Sequence, residues 1–150
     1  MHIGILFLAS IALASPSGKY FYEAPGGVCI QTDWDHSLST LTSRLSCYGE
    51  VFQPARVNIQ QDRSGRYFVI PDIRRRQLLV SLRSLGERCD KRVVNHDLLF
   101  FTEKNGNIST HFEGAIIELM PGVKQVVCFC MGPVSVHLQL VVKSSSYANS

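Results

Sequence analysis

The stretch from residue 65 to residue 89, GRYFVIPDIRRRQLLVSLRSLGERC, limits the folds open to this chain more than any other. It reads as a strand, a proline break, a basic amphipathic helix, a glycine and a cysteine. Pro71 stops the strand, and Asp72 is a good N-cap for a helix over residues 73–85. Leu78, Leu79, Leu82 and Leu85 fall within one helical arc and are expected to face a sheet, with Arg76 and Arg83 on the opposite side. Gly86 then supplies a left-handed C′ position that ends the helix. Arg74, Arg75 and Arg76 occupy the first turn, where the helix dipole disfavours cations by a few tenths of a kcal/mol each. That misplacement marks Arg74, Arg75, Arg76 and Arg83 as a candidate partner-binding surface.

Around this helix the chain alternates turn and strand signals. Residues 19–23 are aromatic and short, Pro25-Gly26-Gly27 turns, and residues 28–32 resume a strand. Asp33 or Asp35 is a plausible N-cap for a second helix reaching Cys47, with Leu38, Leu41 and Leu45 on one face. Residues 50–60 read as a strand broken at Pro54, and residues 61–65 as a hairpin turn leading into a return strand over residues 66–70. Further strands are expected over residues 93–102, 108–112, 115–119, 123–130 and 134–142. Asn105-Gly106 is a hairpin signal and Gly114 a bulge or bend. The order through residue 100, strand–helix–strand–strand–helix–strand, is the split βαβ order of ferredoxin-like domains. The expected fold is therefore α+β: a mainly antiparallel sheet, disulfide-linked, with two helices packed on one face.

The first residues bear on the compartment. The apolar run IGILFLASIAL, whose end overlaps the small-residue pattern Ala12-Leu13-Ala14, has the form of a cleaved signal peptide over residues 1–14. A single secreted domain over residues 15–142 and a loose polar tail over residues 143–150 follow from that division. No other apolar run reaches membrane-spanning length, so stable membrane insertion is not expected. The five cysteines, Cys29, Cys47, Cys89, Cys128 and Cys130, should then mostly pair in an oxidising compartment. Cys47 and Cys89, both placed just past helix ends, are expected to bond each other, and Cys29 to bond Cys128 or Cys130. Asn107-Ile108-Ser109 is a glycosylation sequon on a predicted turn, which makes Asn107 a candidate site.

Charge is uneven along the chain, whose formal net charge is +3. Ten basic and four acidic residues lie between Arg56 and Arg92. Such a region steers acidic partners: an acidic protein, RNA or another polyanion. The sequence contains no Gly-x-Ser-x-Gly, His-Glu-x-x-His, P-loop or dinucleotide-binding glycine pattern, and no Cys-x-x-Cys, so neither a cofactor nor a metal is expected. The alternative to a non-enzymatic binder is a ribonuclease-like protein, active or an inactive RNA binder. In it His111 and Glu113, two residues apart on one strand face, would work with His96 as acid and base, and arginine would stabilise the phosphorane. Trp34, between Asp33 and Asp35, is either an exposed recognition anchor or a core residue.

The layout resembles that of small secreted effectors of plant-colonising fungi: a cleaved leader, one domain of this size, few cysteines and no catalytic signature. From Gly27 to about Phe101 the strand–helix–strand order is similar to the α+β folds of killer-toxin-like effectors. The odd cysteine count and the extra strands depart from those toxins. The resemblance implies a secreted virulence factor whose host or competitor target is met through the basic surface, with host-cell uptake and suppression of defence as its expected role. It assigns no functional residue.

Overall fold

The computed structural model describes residues 15–122. They form nine strands and one helix: β1 (Gly18–Ala24), β2 (Val28–Asp35), β3 (Thr40–Cys47), β4 (Glu50–Val51), β5 (Ala55–Gln61), β6 (Tyr67–Val69), α1 (Ile73–Cys89), β7 (Phe100–Lys104), β8 (Asn107–Phe112) and β9 (Ala115–Pro121). The strand order is β2-β1-β9-β8-β7-β6-β5-β3-β4, and β2 also pairs with β3. Eight strands therefore close an antiparallel barrel, and the two-residue β4 pairs with the end of β3 on the same edge that β5 joins nearer its start. Most pairs join consecutive strands. The exception that closes the ring is β9 on β1, where Tyr20 faces Pro121 and Phe21 faces Met120.

The expected α+β sheet with two helices is thus replaced by a mostly β barrel with a single helix. The error lies in residues 33–47. Leu38, Leu41 and Leu45 are spaced as on a helix, but the segment is the hairpin of β2 and β3. Leu41, Ser43, Leu45 and Cys47 point inward and are buried, while Thr42 and Arg44 alternate outward and Leu38 sits exposed in the turn. Five of the eight residues in β3 are Thr, Ser or Cys, poor helix formers that suit a pleated surface once neighbours exist on both edges. Asp35 caps, as its type suggests, but it caps a turn: its Oδ1 accepts from Ser37 Oγ at 2.6 Å and Leu38 N at 3.2 Å.

Register places the core. Trp34 pairs with Leu41, which pairs with Val57, and Ile30 pairs with Leu45, so these side chains share the inward face. Across the barrel Tyr67 pairs with Phe101, Phe101 with Thr110, and Thr110 with Ile117 on the same face. A barrel of eight strands is just wide enough for side chains to fill. Trp34 contributes to that filling: it is buried, its ring stands edge-on to Tyr67 and Phe101 at 5.5 and 5.3 Å, and its Nε1 donates to Thr32 Oγ1 at 3.0 Å. It is a core residue, and no surface anchor.

Helix α1 packs against β5 and β3. Asp72 is its N-cap as expected, with Oδ1 accepting from the amides of Arg74 and Arg75 at 2.9 and 3.2 Å. Leu78, Leu82 and Leu85 are buried in the same cluster as the barrel interior, each contributing about 1.5–3 kcal/mol of apolar burial. Ser81 Oγ donates to Gln53 O at 2.9 Å, which fixes the helix to the link between β4 and β5. Two expectations for α1 fail. Leu79 is 37% exposed, at the edge of the buried arc. Gly86 lies within the helix, which runs to Cys89 and ends on Asp90 at φ 51°. A Cβ on Gly86 would stand 3.0 Å from Lys91 O and 3.4 Å from a Val93 methyl, so the glycine admits the returning chain.

The Cys47–Cys89 disulfide joins the end of β3 to the end of α1, with Cα atoms 6.3 Å apart. The pairing matches expectation, although Cys47 ends a strand. Cys29 is buried, and Cys128 and Cys130, its expected partners, lie outside the described residues, as do the expected leader, the strands expected beyond residue 122 and the expected tail.

Residues 93–99 form no strand. They are held by Asp97, which is fully buried. Its Oδ2 accepts from Val94 N at 2.9 Å and Glu113 N at 3.0 Å, and its Oδ1 accepts from Gly114 N at 3.3 Å. Asn105-Gly106 makes the expected hairpin between β7 and β8, with φ 54° and 81°. Glu113-Gly114 makes a second two-residue turn with φ 52° and 75°, at the position where a bulge or bend was expected.

Candidate binding surface

The arginine triplet does not form one patch. Successive helical residues are about 100° apart, so three neighbours look in three directions. Arg74 is exposed and donates through Nη1 to Asn58 Oδ1 at 3.2 Å. Arg75 turns the other way, is half-buried, and has its Nε covered without a hydrogen-bond partner. Arg76 is exposed on the outer face of α1, and Arg83, seven residues on, shares that face.

Ile73 and Val80 stand on the same outer side and are 76% and 61% exposed. With Phe52, Pro54, Arg76 and Gln77 they border a groove of about 380 Å³ between α1 and the β4–β5 link. Among the described residues neither Arg76 nor Arg83 has an ion-pair partner, whereas Arg88 is paired with Glu50. No acidic residue lies in the first turn of α1. The carboxylates closest along the helix are the cap, Asp72, and exposed Glu87, one turn beyond Arg83. Partial desolvation pushes the Asp72 carboxyl up, but hydrogen bonds from Asn58 and from the amides of Arg75 and Arg74, with the Arg74 charge, hold it below the ordinary carboxylate range. The outer face of α1 thus carries Arg76 and Arg83 around an apolar centre, with Glu87 at its C-terminal end, and is net cationic.

The three residues of the enzymatic alternative lie on the opposite end of the sheet ring from β3. His96 is exposed and stacks on Phe100, centroids 6.4 Å apart and planes 27° apart. His111 is exposed on the outward face of β8 and borders a depression of about 240 Å³ with Arg66, Phe100, Ser109 and Ile116. Glu113 falls in the turn after β8, where strand alternation has ended. Its carboxylate accepts from Arg92 N at 3.2 Å and lies 3.8 Å from Lys91 Nζ. The two imidazoles thus border one aromatic ring, while the carboxylate serves the segment after α1. Asn107, the sequon residue, is the half-buried first residue of β8. Among the described residues no group of three His, Cys, Asp or Glu side chains could hold a metal ion, and no helix is long and apolar enough to cross a membrane.

Sequence reasoning missed Phe100, Phe68 and Arg66. Phe68 and Phe100 are paired across β6 and β7 on the outward face, and the Arg66 guanidinium lies 5.1 Å from the Phe100 centroid. The double phenylalanine Phe100-Phe101 carried the signal: on a strand one of two adjacent side chains must point outward. Comparison with known proteins finds no matching family model, no matching curated protein and no matching solved structure.

Proposed function

We propose that this chain is a binding protein that engages an acidic protein partner through the outer face of α1. The observation that carries this reading is the placement of Arg76 and Arg83, exposed and without ion pairs among the described residues, beside exposed Ile73 and Val80. Arginine beside an apolar centre is the composition of energetically important interface positions, and unneutralised cations steer acidic partners. The disulfide suits an oxidising, extracellular setting, and with the leader-like first residues it supports secretion. The reading of the partner as a host or competitor protein, with suppression of host defence as the outcome, rests on the effector-like layout alone.

The test is capture of a partner from extracts of a candidate plant host by the purified protein and by two charge-reversed variants. Arg76→Glu/Arg83→Glu should lose the partner, with binding weakened at least tenfold. Arg74→Glu, directed at Asn58, should retain it. A partner captured equally by wild type and by Arg76→Glu/Arg83→Glu would show that the outer face of α1 is not the interface.

A further inference from the structure

We infer that the cavity between α1 and the outward faces of β6 and β7 is a site for a small organic anion with a flat apolar body. It is distinct from the outer face of α1, because Arg75 turns away from Arg76 and Arg83. The cavity has a volume of about 620 Å³, within the roughly 300–1,000 Å³ of ordinary ligand pockets. Its walls are mostly apolar, with Phe68, Leu79 and Phe100 among them, and three polar side chains converge on it: Arg75, Asn95 and His96.

Two observations point to an anion. Arg75 Nε is buried and has no acceptor. A guanidinium satisfies a side-on pair through Nε and one Nη, the fork that matches the two oxygens of a carboxylate or phosphate. Nε is covered, so that pair requires the guanidinium to turn towards the cavity, a rotation about its terminal side-chain bonds. His96 and Asn95 add N–H donors on the same wall, and no carboxylate lines the cavity to compete for them. The apolar body follows from the aromatic walls. Phe68 and Phe100 are neighbours on the sheet's outer face, and Phe100 already accepts one stacked ring from His96 and one guanidinium from Arg66. A flat ring carrying a carboxylate or a phosphate satisfies both parts. The head group is left open between these two sources, which the experiment separates.

The full chain is titrated calorimetrically with 2-naphthoate, 1-naphthyl phosphate and uncharged 2-acetylnaphthalene. At least one anion is expected to bind with a Kd below about 1 mM, and the neutral compound about tenfold or more weakly. The tighter of the two anions identifies the head group. Arg75→Met should weaken anion binding about tenfold and leave the neutral compound unchanged. Arg75→Lys, which keeps the charge without the fork, should fall between. In the wild-type protein the ring resonances of Phe68, Phe100 and His96 should shift on binding, a readout that stands if Arg75→Met fails to fold. The inference is overturned if neither anion binds at millimolar concentration, if the neutral compound binds as tightly as the anions, or if binding leaves those three rings unmoved. A single-stranded oligouridylate that binds tenfold tighter than naphthyl phosphate through Arg75 would overturn it in favour of nucleic acid.

Discussion

Removing the Cys47–Cys89 bridge should cost this protein about 4 kcal/mol. The bond joins residues 42 apart in sequence. Cutting it returns to the unfolded chain the entropy of a closed loop of that length, about 13 cal/mol/K by the chain-entropy relation, or about 4 kcal/mol at 25 °C. Whole domains are stable by about 5–15 kcal/mol, so this is a large share. A competing term comes with substitution: Cys47 and Cys89 are both buried, and Cys47→Ala/Cys89→Ala leaves space where two sulfurs were. Small cavities of this kind cost about 1 kcal/mol each, below the entropic effect. Reduction without substitution avoids them and separates the two. Urea unfolding followed by far-UV circular dichroism is the assay. With a slope of about 2 kcal/mol/M, the midpoint should fall by about 2 M on reduction and by about 3 M in the double variant. A fall under about 0.5 M with unchanged slope would refute the reasoning, because the open chain would then already hold α1 against β3. Hydrogen exchange gives a local check, since the last turn of α1 should lose protection first.

Three further outcomes are expected. Asp97→Asn should destabilise by about 1–3 kcal/mol in urea unfolding, because three N–H groups converge on its two oxygens and an amide turns an N–H₂ towards one of them; an unchanged midpoint would show that residues 93–99 do not depend on it. Gly86→Ala should fail to give the roughly 1 kcal/mol usually gained by replacing a helical glycine, because the new Cβ meets Lys91 O; a full gain in thermal unfolding would show that the returning chain yields freely. Acid titration should weaken the start of α1. The Asp72 carboxyl is held below its unfolded value, so its contribution is complete above the unfolded pKa of about 4 and is lost as pH falls through the folded value. Asp72→Asn, which caps without titrating, should remove that part of the acid dependence, and an identical acid transition in the variant would count against it.

The features legible in the sequence are those closed by neighbouring residues. Asp72 capping α1, the Asp62–Gly65 turn and the Asn105-Gly106 hairpin each depend on backbone and side-chain chemistry within a few residues. The candidate arginines of α1 were equally visible. Their division into an outer pair and an inward Arg75 was not, because it needs the position of β6 and β7 against the helix. What the tertiary structure alone decided is the barrel. Residues 40–47 carry a leucine spacing that suits a helix in isolation, and they become a strand because β2 and β5 offer a partner on each edge. Ring closure needs β1 and β9, about a hundred residues apart, to meet, and no local pattern records such a pairing. The burial of Asp97 and the outward placement of half-buried Phe100 follow from the same closure. By itself the sequence therefore determined caps, turns and the charge of one helix, where local geometry is sufficient. The inside and the outside of the protein were decided by strand pairing across the whole chain, since a side chain's face depends on register.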